Sequence, residues 1–222
     1  MSKIYQFIDK RLNITPLLKS IADHPVPDHA NPAKTRMAFI YCFGGIAFFI
    51  LLLQALTGVF LMLYYVPSPD HAHASVSYIK NEVLFGAFVQ NLHRVGGSAV
   101  IVMVLLHMLR VFFTKSYKDP RELNWIVGVI LLFIVLGFGF TGYLLPWDQK
   151  AYWATVVALN MVETIPLAGG FLADALRGGS EVGTLTLVRF FVIHVVFLPI
   201  LLITFLAAHF FMIRRQGISR PL

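Results

Sequence analysis

A chain of 222 residues that is 58% hydrophobic and only 13% charged has the composition of an integral membrane protein rather than a soluble globule. Nothing in its formal net charge of +7 suggests nucleic acid. A single cysteine excludes an internal disulfide framework.

Residues 1–35 contain no apolar core of signal-peptide length, so a cleaved leader is not expected. Ile4, Phe7, Ile8 and Leu12 recur at helical spacing, with Lys3, Asp9, Lys10 and Arg11 elsewhere around the wheel. The pattern predicts an N-terminal amphipathic helix, lying on the membrane surface or docked on protein. His24 and His29 fall among Pro25, Pro27 and Pro32 and read as solvated loop histidines.

Four apolar runs, at about 37–66, 85–113, 124–146 and 190–213, reach the roughly 20 residues that a helix needs to cross a bilayer. The first holds Cys42, Gly44 and Gly58, and the third repeats the 14-residue glycine interval with Gly128 and Gly142. One glycine in a membrane helix usually reflects close helix packing. Two matching pairs suggest a flat group, such as the edge of a porphyrin, pressed against the backbone at two depths.

The second run carries His93 and His107, again 14 residues apart, and the fourth carries His194 and His209, 15 apart. Fourteen residues of helix rise about 21 Å and return to within roughly 40° of the starting azimuth, so each pair forms one stripe with two depths. If both helices run the same way, His93 meets His194 at one level and His107 meets His209 at the other. Each pair can then clamp an iron from both sides, axial histidine being a common haem ligand. The extra residue of the second pair turns a straight helix about 60° too far; Pro199, between the two histidines, is a place to absorb it. Arg94 and Arg110 flank the uncharged centre of the second run, as partners for the two propionates of a haem or as boundary anchors.

Between the first two runs, residues 67–82 form an external loop whose His71 and His73 have no third ligand in view. After the third run comes Tyr143-Leu-Leu-Pro-Trp-Asp-Gln149, then a long connection in which Val156–Val162 and Leu172–Leu176 are expected as short helices across the outer end of the bundle. With four spans both termini share one side. Thirteen of the 18 basic residues collect there, which places the termini in the cytoplasm or its equivalent. The fold class expected is an all-α membrane protein: one four-helix transmembrane bundle over 1–222, with a surface segment at 1–35. No phosphate loop, nucleophile triad or cysteine-rich metal motif is found.

Several motifs together resemble the cytochrome b subunit of quinol:cytochrome c or plastocyanin oxidoreductases, in its short b6 form. They are Tyr41-Cys-Phe-Gly-Gly45, His93-Arg94, His107-Met-Leu-Arg110, Pro120-Arg-Glu-Leu-Asn-Trp125, Thr141-Gly-Tyr-Leu-Leu-Pro-Trp-Asp-Gln149, Thr186-Leu-Val-Arg189 with His194, and His209-Phe-Phe-Met-Ile-Arg214. The 14 and 15 spacings favour the b6 branch, and the residues before Cys42, including Lys34 and Arg36, look like the Gram-positive bacterial type.

That resemblance implies one haem b on His93 and His194 at the outer level and another on His107 and His209 at the inner level. It implies a third, c-type haem linked through Cys42. It places quinol oxidation near Pro146, Trp147, Asp148 and Tyr152, and quinone reduction near Asp23 and Arg214. Partners would be a subunit IV-like chain, supplying the Pro-Glu-Trp-Tyr motif not found here, a Rieske iron-sulfur protein and a c-type cytochrome, in a dimeric complex of the bacterial cell membrane. Gln90 stands where many relatives have an arginine. A rival reading is a non-catalytic dihaem anchor of the hydrogenase or formate dehydrogenase kind; another is a transporter or channel with histidine proton relays.

Overall fold

The structure is a computed structural model that describes residues 40–217. The expected surface helix, Asp23, His24 and His29 lie outside the described residues. Those described form seven helices and no strand: α1 (Phe43–Met62), α2 (Ala72–Asn81), α3 (Gly86–Phe113), α4 (Glu122–Leu144), α5 (Gln149–Glu163), α6 (Gly169–Arg177) and α7 (Thr184–Gln216). Helices α1, α3, α4 and α7 are long and apolar enough to cross a membrane, α1 being entered through a 3₁₀ turn that extends its span to Ile40–Met62. At 28 residues, α3 is the longest uninterrupted α-helix, about 42 Å at 1.5 Å per residue.

In the bundle, α1 packs on α3, α3 on α4, and α4 on α7, while the α3 and α7 backbones stand apart. Little of each span is buried within the chain. Phe49, Leu52, Leu56 and Val59 of α1, with Leu63 just past its end, form an exposed row at three- and four-residue spacing. Such a face is at home against lipid or another membrane chain, where apolar side chains cost nothing to expose.

The densest packing lies at the end away from residues 40 and 217, called here the outer end. Ala72 of α2, Leu144 of α4, Leu159 of α5, and Leu187 and Phe190 of α7 are buried together there with Val182, and Tyr65, Trp147 and Tyr152 close over them. The Tyr65 hydroxyl donates to the Leu145 carbonyl at 2.7 Å, and burial pushes its phenol above the ordinary range. Gly178, with φ +82°, ends α6 in the left-handed region. A Cβ there would come within 2.8 Å of Leu185, so the turn needs both glycine's backbone freedom and its missing side chain.

The observed bounds depart from the expected ones at three places. The first span ends at Met62, because residues 63–66 turn to place Tyr65 under Leu145. The fourth begins at Thr184 rather than 190, because Arg189 does not mark a membrane boundary. Its guanidinium caps α6 by donating to the Asp174 and Ala175 carbonyls, where a cation suits the helix C-terminus. The expected external loop 67–82 contains α2, with His71 at its N-cap position and Ala72, Ser75 and Ile79 as its buried stripe; α2 packs on α3, and Ala72 reaches the core of the outer end.

Candidate functional site

Two histidine pairs face each other across the gap between α3 and α7. At the outer level the His93 and His194 ring centres are 6.3 Å apart with planes at 71°; at the inner level His107 and His209 are 6.5 Å apart at 83°. A metal held about 2 Å from one nitrogen of each ring, with that nitrogen roughly 1 Å from its ring centre, requires centres on the order of 6 Å apart. Both pairs meet that requirement. Among the described residues no three His, Cys, Asp or Glu side chains cluster, so each pair offers two donors and no more. A planar macrocycle that brings its own four nitrogens suits such a site; a bare ion does not.

The 15-residue interval on α7 is accommodated by one π turn, Ile193–Phe197, in which the Leu198 N–H reaches back to the Ile193 carbonyl. A π turn takes up one extra residue. His194 and His209 thereby recover the phase of a 14-residue interval. Pro199 follows at the start of the next α-helical segment, so the irregularity lies just before the proline and includes the ligand position itself.

Each histidine ring rests on a glycine of the neighbouring helix. A Cβ added to Gly142 would come within 2.7 Å of the His194 ring, one on Gly44 within 3.0 Å of His107, one on Gly58 within 3.2 Å of His93, and one on Gly128 within 3.8 Å of His209. Each of the four glycines, two on α1 and two on α4, is thus met by an imidazole of α3 or α7.

Thr57 and Thr141 each precede an outer-level glycine, and the sequence assigns neither a role of its own, although Thr-Gly recurs at both places. The Thr57 hydroxyl donates to the Leu53 carbonyl at 2.6 Å and lies 2.9 Å from His93 Nδ1. The Thr141 hydroxyl donates to the Gly137 carbonyl at 2.8 Å and lies 2.9 Å from His194 Nδ1. A hydroxyl that has given its proton to a carbonyl can only accept from the ring. With the hydroxyl proton directed to the carbonyl, each ring's Nδ1–H is the donor and its Nε2 lone pair is left for a metal.

The inner pair opens on a cavity of about 350 Å³ lined by Tyr41, Gly44, His107, Arg110, Asn124 and His209, among others. Arg110 Nε and Asn124 Oδ1 are buried there without a hydrogen-bond partner, and the Arg110 guanidinium lies 4.8 Å over the Tyr41 ring. An arginine at membrane depth aimed into a cavity is suited to a bound anion. Arg121 closes the inner end by donating to the Gln216 and Gly217 carbonyls at 3.2 and 3.4 Å.

A family profile described as Cytochrome b/b6/petB matches residues 29–217. The chain belongs to the cytochrome b/b6 family. It is 56% identical to the menaquinol:cytochrome c reductase cytochrome b subunit of Geobacillus thermodenitrificans, over all of both chains. It is 46% identical to cytochrome b6 of Heliobacterium mobile, over 97% of this chain and 99% of that one. Among solved structures it superposes on a chain of a hyperthermophilic respiratory complex III with a TM-score of 0.84 at 30% identity, over 97% of this chain. This chain spans 56% of that longer one.

The remaining expected residues of this cytochrome b/b6 chain divide between the two ends. Cys42 is exposed at the N-terminus of α1, between cavity-lining Tyr41 and Gly44. Arg214 is exposed in the last turn of α7, and Asp23 lies outside the described residues. Arg94, next to His93, is exposed. At the outer end Asp148 caps α5, accepting from the Ala151 N–H at 2.8 Å. Trp147 takes a left-handed backbone with φ 52°, and its ring meets Tyr152 edge-on at 5.7 Å. Pro146 is half-buried beside them.

Proposed function

We propose that this chain is the haem-carrying membrane subunit of a quinol:cytochrome c oxidoreductase, taking electrons from a quinol oxidised at the outer face to a quinone reduced at the inner face. The observation that carries this reading is the pair of facing histidine couples, 6.3 and 6.5 Å between ring centres, at two depths of one bundle. His93 and His194 hold one haem b, and His107 and His209 the other. Bound haem supplies a reversible one-electron couple at each level. Gly44, Gly58, Gly128 and Gly142 admit the imidazole rings, and Arg110 at the inner level and Arg94 at the outer level would balance propionate charge. Thr57 and Thr141 fix the outer tautomers.

At the inner end, the exposed Cys42 would hold a third haem through a thioether, the product of S–H addition across a vinyl C=C with no leaving group. Its position beside the inner cavity supports this reading, as does the likeness to b6 relatives. Asp23 and Arg214 serve quinone reduction, and the Pro146–Tyr152 segment forms part of the quinol pocket. The identity to the Geobacillus subunit supports menaquinol as the substrate. A subunit IV-like chain, a Rieske iron-sulfur protein and a c-type cytochrome complete a dimeric complex. The chain acts as one transmembrane domain over 1–222 in a bacterial cell membrane, with cytoplasmic termini. Family membership favours this reading over a non-catalytic anchor or a proton-relay channel.

The test is a pyridine haemochrome assay on the purified complex. Two extractable haem b per chain, with low-spin bis-histidine spectra, are expected. A haem-free chain with intact quinol turnover would overturn the reading.

A further inference from the structure

The two histidine levels are not equivalent in what lies behind the rings. At the outer level each Nδ1–H donates to a threonine hydroxyl that itself donates to a backbone carbonyl, a two-bond chain on both sides. At the inner level the positions before the glycines are Phe43 and Val127, which have no hydroxyl. The Nδ1 atoms of His107 and His209 are buried without a hydrogen-bond partner. Backbone carbonyls divide the levels less sharply, since those of Gln54 and Phe138 face both outer rings, His93 and His194, while that of Asn124 faces one inner ring, His209. The threonine hydroxyls stand behind the outer rings alone.

A hydrogen bond from the far nitrogen of an axial imidazole makes the ligating nitrogen more basic, and a second bond passed on by the acceptor strengthens the first. A more basic ligand stabilises the more positively charged ferric state. We propose that Thr57 and Thr141 are positioning residues that lower the reduction potential of the outer haem relative to the inner one, through the Nδ1 hydrogens of His93 and His194. The inference rests on the haem assignment above. It adds that the direction of the electron's descent is written into two hydroxyls rather than into the ligands, which are histidine at both levels. The inner rings, with no such acceptor behind them, leave their haem the better electron acceptor.

The experiment is an optical redox titration of the purified, haem-loaded complex, with a haemochrome ratio to show that both haems are present. Thr141→Val, nearly the same shape without the hydroxyl, should raise one of the two midpoints and leave the other in place. The Thr57→Val, Thr141→Val double variant should raise that midpoint further, and Thr141→Ser should restore it. The reciprocal Val127→Thr should lower the second midpoint alone, by giving His209 the hydroxyl that His194 already has. Unchanged midpoints with both haems bound, or two midpoints that move together, would overturn the inference. If the valine variants lose a haem, Val127→Thr decides alone, and an unmoved second midpoint refutes it. Absence of haem from the unaltered complex would instead refute the haem assignment.

Discussion

Gly142→Ala places a methyl group 2.7 Å from His194 Cε1, 3.3 Å from Nδ1 and 3.4 Å from Nε2. Carbon atoms in contact prefer about 3.5–4.0 Å, so the ring must retreat by close to 1 Å. Retreat breaks the 2.9 Å bond to Thr141 and disturbs the edge-on contact with Phe138 at 5.4 Å. Overpacking of this kind costs about 1–3 kcal/mol and the lost hydrogen bond about 1 kcal/mol, together about 2–4 kcal/mol. At 1.4 kcal/mol per tenfold, outer-haem retention should weaken about 30-fold to several hundred-fold. The four glycines form a graded series, with alanine clearances of 2.7 Å at Gly142, 3.0 Å at Gly44, 3.2 Å at Gly58 and 3.8 Å at Gly128. Haem loss, read from haemochrome ratios after detergent washing, should follow that order, and Gly128→Ala should keep both haems. If Gly128→Ala strips its haem as readily as Gly142→Ala, contact with the imidazoles is not what these glycines provide.

Further outcomes are expected from the same geometry. His93→Ala and His194→Ala should each remove one haem b signal, the same one, and His107→Ala and His209→Ala the other; a variant that keeps both low-spin signals breaks the pairing. Cys42→Val should abolish haem staining of the polypeptide after acid-acetone extraction and denaturing electrophoresis, while unchanged staining would place any covalent haem elsewhere. Asp148→Ala should lower the thermal midpoint of the complex by removing the α5 cap, worth about 1 kcal/mol, whereas Asp148→Asn should hold it. A fall in both would show that the charge, not the cap, sustains the outer end. A C-terminal reporter should be active only on the cytoplasmic side, and activity outside would invert the topology.

Much of this architecture is legible in the sequence because a membrane restricts the alternatives. Long apolar runs leave the backbone no partner but itself, so they are helices. A fixed helical pitch then turns intervals of 14 residues into stripes with two depths. The two histidine stripes and the matching glycines of α1 and α4 follow from those intervals alone. The start of α7 at Thr184, one turn ahead of Arg189, does not, because an arginine in an apolar run reads as a boundary until a neighbouring helix end is seen to accept it. Helix α2 is illegible for a similar reason: its short Ala72, Ser75 and Ile79 stripe has meaning only against α3 and the packed outer end.

The finer decisions are tertiary. The interval of 15 residues states that one residue must be absorbed, and local sequence points to Pro199; the π turn at Ile193–Phe197 emerges only when both α7 histidines must face α3 together. The glycine pairs imply a flat neighbour, but that it is the imidazole depends on which helix lies beside which. Thr57 and Thr141 read as ordinary residues of apolar helices until packing brings each hydroxyl to a ring nitrogen on a helix far away in sequence. Spacing along one chain determines depth and azimuth, whereas a hydrogen bond between helices depends on their relative placement, which no single helix encodes.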